Sequence, residues 1–167
     1  MNSDACLTRA QLCDNIPCAY VMGAGTNKAS TSTPFEGKTI DGHWYANCSD
    51  CSNFSCWCLG VDKHDGGQWW GTDQIVQDAL GPSKRWKLLP APVLGCMVVY
   101  AGHMVDGHRQ AGHCGIVCDI GQKLTYDCGS SSFKHGGDAV TKRHLPGFWF
   151  RPAALPQPIF VVPNTWE

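Results

Sequence analysis

The chain has no apolar run near the roughly 18 residues that a membrane-spanning helix requires. Its first twenty residues, MNSDACLTRAQLCDNIPCAY, lack a basic start and a continuous apolar segment. No secretory signal is therefore expected there, and synthesis in the cytoplasm is. Charge is scarce as well. Only 16% of residues are Asp, Glu, Lys or Arg, the formal net charge is −1, and no long run carries one sign. That composition leaves no basic face for nucleic acid and no polybasic patch for a membrane, so neither is an expected partner. Internal repeats, low-complexity tracts and linkers are missing too. With 43% hydrophobic residues in 167, the chain can bury a core, and one domain spanning 1–167, acting as a monomer, is the expectation.

Cysteine, by contrast, is plentiful. There are eleven, an odd number, so at least one is unpaired within a monomer. A secreted disulfide framework would favour an even count and a leader. Most are therefore read as small buried residues or free thiols. Cys48 and Cys51 form a C-x-x-C, and Cys114 and Cys118 lie four apart, but two well-spaced knuckles are absent. No metal and no cofactor are expected; a zinc-stabilised binding module is the non-enzymatic rival.

The periodicity predicts helices over 4–15, 51–59 and 72–80, capped by Ser3 or Asp4, by Ser49 or Asp50, and by Thr72. The middle one, closed by Gly60, is apolar nearly all round and should lie buried at the centre. Strand-like segments follow at 97–100, 113–119, 123–128 and 148–151. Helices first and strands afterwards indicate an α+β fold. Residues 26–47 read as a long polar loop, His103 and His108 as solvated loop residues, and the Pro-rich 152–163 as an extended end. Trp69, Trp70, Trp86 and Trp149 read as core or groove walls.

Two segments carry chemistry. Asp50 to Gly60, DCSNFSCWCLG, places a thiol where a helix starts, and Gly112 to Val117, GHCGIV, places an imidazole on a downstream strand. A thiol is nucleophilic as thiolate, and both a helix N-terminus and a nearby imidazolium stabilise that anion. With YVMGAG at Tyr20, LGCMVVY at Leu94 and YDCGSSS at Tyr126, these segments resemble, in order, the motifs of the NlpC/P-sixty superfamily of cell-wall cysteine peptidases. The resemblance implies a papain-like NlpC-type fold, with N-terminal helices packed on an antiparallel sheet. It also implies hydrolysis of an amide in peptidoglycan stem peptides, commonly at the D-glutamyl to diaminopimelate bond, as in a phage or prophage lysin acting on the wall after release or delivery. By the match, Cys51 is the nucleophile, His113 the base and Asp127 the orienting residue; Tyr20 stands near the oxyanion, and Asp50 and Ser52 line the pocket for the acyl-side peptide. The chain departs from the pattern at Asn53, where the family has Gly, at Cys96, where it usually has Asp, at Asp127, more often His, and in the long 26–47 insertion.

A strand argument bears on Asp127. His113, Gly115 and Val117 should share one face. A three-residue turn at 119–121 would set His113 opposite Asp127, whereas a two-residue turn at Gly121-Gln122 would put them on opposite faces. The bland alternatives are a core thiol at Cys51, a satisfied interior histidine at His113 and a strand-edge acid at Asp127. Another thiol acyl hydrolase or an acyltransferase on the same fold is the rival chemistry.

Overall fold

The computed structural model describes residues 1–82 and 85–167. Among these, the elements in chain order are α1 (Ser3–Asp14), β1 (Ala19–Tyr20), β2 (Glu36–Ile40), β3 (His43–Ser49), α2 (Cys51–Cys58), β4 (His64–Asp65), β5 (Gln68–Trp69), α3 (Thr72–Leu80), β6 (Trp86–Leu89), β7 (Met97–Tyr100), β8 (His103–Val105), β9 (His108–Gln110), β10 (His113–Asp119), β11 (Leu124–Cys128), α4 (Ser130–Gly136), β12 (Val140–Arg143), α5 (Pro146–Trp149) and β13 (Ile159–Pro163). The fold is α+β. Its centre is an antiparallel sheet in the order β12-β11-β10-β7-β13-β6.

Strand alternation divides this sheet into two faces. Met97, Val99, Cys114, Ile116, Tyr126 and Cys128 pack with the buried sides of α1, α2 and α3. Cys96, Val98, Val117 and Val162 face the other way, against Phe148 of α5. As the sequence suggested, α2 is buried along its whole length. Asp50 caps it by accepting the Asn53 N–H at 2.7 Å, and Gly60, at φ 71°, stops it. Two cap assignments change: Asn2 caps α1, accepting the Ala5 N–H, and α3 begins after Gly71 with no side-chain cap.

Three further expectations are corrected. Residues 148–151 are not a strand; Pro146, with its φ preset for a first helical turn, starts a short helix that ends at Trp149. The polar 26–47 stretch contains the β2–β3 hairpin, turned by Asp41-Gly42 with both φ positive (49° and 81°). The Pro-rich end supplies an interior strand, β13, between β7 and β6, and β6 has no counterpart in the sequence reading.

The β10–β11 turn also differs. Asp119 pairs with Leu124 around four residues, with Asp119 Oδ1 accepting the Gln122 N–H and Lys123 at φ 56°. A regular ladder from that turn would send Asp127 to the wrong face. However, Val117 pairs with Thr125, so Cys118 is an extra residue, a bulge that restores the parity. Asp127 then lies opposite Gly115, diagonal to His113 on the same face, and a Cβ at Gly115 would meet that of Asp127 at 3.1 Å.

Candidate active site

Cys51 is the first residue of α2, in the helical layer, whereas His113 and Asp127 lie on the opposite face of the sheet. They meet because His113 is the first residue of β10, where the sheet ends. Cys51 is 4% exposed. A hydrogen bond from the Cys114 thiol, together with the charge and hydrogen bond of His113, outweighs burial and lowers its pKa from 9.0 to about 5. Burial opposes the charge on His113, but the Cys51 anion and Asp127 raise its pKa to about 10. Thiolate and imidazolium therefore coexist between these values. Burial pushes the Cys13, Cys56 and Cys96 thiols the other way, up to about 12.

The imidazole is fixed on three sides. Its Nε2 meets Asp127 Oδ2 at 2.8 Å, which leaves Nδ1 for the sulfur. Its ring stacks on Phe148 at 5.3 Å between centroids and 3° between planes, with Tyr100 at 6.5 Å. Asp127 is fully buried. Burial would raise its pKa, but the bonds from His113 and Arg143 hold it below the usual carboxylate range. We expect Asp127→Ala to lower the pKa of His113, because the ring loses the anion that helps to raise it. It would also leave the Arg143 cation facing the imidazole without an anion between them. In an NMR titration the ring should consequently deprotonate at lower pH, and an unmoved titration would show that Asp127 does not act on it.

Tyr20 pairs in parallel with Ser49, next to the α2 cap Asp50, and lines a groove of about 320 Å³ together with Met22, Tyr100, His113, Ser130 and Arg143. Burial first, then the nearby Cys51 and Asp50, raises its pKa, so its phenol keeps a proton to donate. His113 lines this groove and Cys51 lies buried behind it; a larger cavity, about 770 Å³ along α3, is lined by neither.

Asp50 and Ser52 do not line that groove. Both are buried, and the Asp50 carboxylate accepts from the N–H groups of Asn53 and Gly23, from Ser52 Oγ and from Lys63 Nζ at 2.7 and 2.9 Å. They hold the start of α2. Lys63 and Arg143 are the charged residues that the sequence reading missed. Nothing in the local pattern marks either, because each acts across 13 to 16 residues. Of the thiols, Cys48 lies in a separate buried cluster from Cys51, all eleven are free, and among the described residues no group of His, Cys, Asp or Glu is arranged to hold a metal. No protein-family model matches the chain and no curated protein matches it.

Proposed function

We propose that the protein is a cysteine peptidase or amidase of papain-like, NlpC type that hydrolyses an amide bond in peptidoglycan stem peptides. The observation that carries the chemistry is the buried Cys51 thiol at a helix start, its pKa lowered to about 5 beside a His113 ring held by Asp127. The motif resemblance supplies the substrate class. Cys51 attacks the amide carbonyl carbon. The Cys51 backbone N–H, which at the first helical position lacks an intrahelical acceptor, and the Tyr20 O–H receive the oxyanion. His113 passes its Nδ1 proton to the leaving amine as the carbon–nitrogen bond breaks, then takes a proton from the water that opens the acyl thioester.

The test is digestion of purified peptidoglycan with mass analysis of the products. Stem peptides cut at one amide, with D-glutamyl to diaminopimelate the first bond to inspect, are expected; intact muropeptides after prolonged incubation would rule the substrate out. The rate should depend on pH as a bell. It should rise through about 5, as Cys51 ionises, and fall through about 10, as His113 loses its proton. Cys51 should also be the thiol that iodoacetamide alkylates fastest at neutral pH.

A further inference from the structure

Arg143 lies on β12 opposite Thr125, two rungs from the pair Asp127–Thr141 and so on the same face of the sheet. Its Nε donates to Asp127 Oδ1 at 3.0 Å and its Nη2 to Oδ2 at 2.8 Å. Asp127 is fully buried and His113 engages only Oδ2, so without Arg143 the second oxygen would lose its charged partner. A planar fork gripping both oxygens fixes the plane of a carboxylate as well as its charge, which a single point charge does not. The backbone makes room for this. A Cβ at Gly129 would meet Arg143 Nη2 at 2.9 Å and Asp127 Oδ2 at 3.0 Å.

We propose that Arg143 is a positioning residue for the reaction, holding the Asp127 carboxylate as an anion in one orientation behind His113. This rests on reading Cys51 and His113 as the catalytic pair. The charged groups facing Asp127 are His113 from β10 and Arg143 from β12; beyond the ring stand Cys51 and Tyr20, with the Asp50–Lys63 pair at the base of α2. Arg143 acts in two ways. It keeps Asp127 ionised, and it offsets part of the carboxylate's pull, so the imidazolium can still release its proton to a leaving amine. When Arg143 is removed, Asp127 should hold a proton more readily, and the imidazolium that stabilises the thiolate should weaken with it.

The experiment is the pH profile of Cys51 alkylation by iodoacetamide, which needs no substrate, in the full chain and in Arg143→Gln and Arg143→Lys, alongside turnover on peptidoglycan. In Arg143→Gln the acid limb should move up by about one pH unit or more, and kcat should fall on the order of ten-fold with KM little changed. Arg143→Lys keeps the charge but not the fork, so its limb should stay while kcat falls several-fold. A folded Arg143→Gln protein alkylating on the unaltered profile would overturn the proposal. If that variant does not fold, an unaltered kcat in Arg143→Lys would overturn it instead. Failure of the unsubstituted protein to cut peptidoglycan would count against the substrate alone, since the alkylation profiles would still report on Arg143.

Discussion

Cys51→Ala should abolish hydrolysis, lowering kcat by roughly four to six orders of magnitude, because it removes the bond-forming atom and not a positioning contact. The fold should persist. The side chain is small, and α2 remains capped by Asp50 and buried between α1 and the sheet. A second signature separates loss of the nucleophile from general damage. The Cys51 anion is the largest influence holding the His113 pKa up near 10, so an NMR titration of the variant should find that ring deprotonating at lower pH. Retained activity, or an unmoved His113 titration in a folded variant, would remove Cys51 from the mechanism.

Lys63→Met should have the largest effect on stability. Lys63 is 1% exposed, its ammonium bridges both oxygens of a 4% exposed carboxylate, and it also sits 4.9 Å from the Trp69 ring. Removing one member of a buried pair strands the other's charge and typically costs about 3–5 kcal/mol. Asp50 caps the helix that carries the nucleophile, so the loss would centre on the site. Its uncompensated charge would also oppose ionisation of Cys51, whose pKa Asp50 already pushes up. The urea midpoint should fall at an unchanged slope. The double variant Asp50→Asn with Lys63→Met should recover most of the deficit, since no lone charge remains. A single-variant loss under about 1 kcal/mol would mean that Asp50 draws its support from the three other donors alone.

Local signals in the sequence account for much of this architecture. The caps and glycine stops around α2 are short-range, and so is the alternation along β10 and β11. The hairpins were written there too. Asp41-Gly42, Gly66-Gly67 and Asp106-Gly107 each turn a two-residue hairpin with both φ positive. Those flanking strands are short and largely exposed, so alternation did not reveal them, and the sequence reading gives loops at 26–47 and around His103 and His108 instead. His113 and Asp127 came together as anticipated, through a different register, because the bulge at Cys118 restored the parity that a longer turn would have reversed. Lys63 and Arg143 lay beyond such reasoning. Each neutralises a buried acid from a different element, and no periodicity encodes which cation will face which acid. Asp127, where the resembled family more often has His, is suited to this chain because a guanidinium faces it from β12.

The sequestered thiols bear on how such a protein could travel. Ten of the eleven cysteines are buried and all are free. Packing keeps thiols such as Cys13, Cys56 and Cys96 protonated and out of reach of oxidants. Threaded unfolded into an oxidising space, the same chain would expose all of them at once. It would then be open to cross-linking before this packing can form. For the cell-wall role proposed above, delivery in the folded state, by lysis of the producing cell or by a route wide enough to pass a finished domain, would keep these thiols covered.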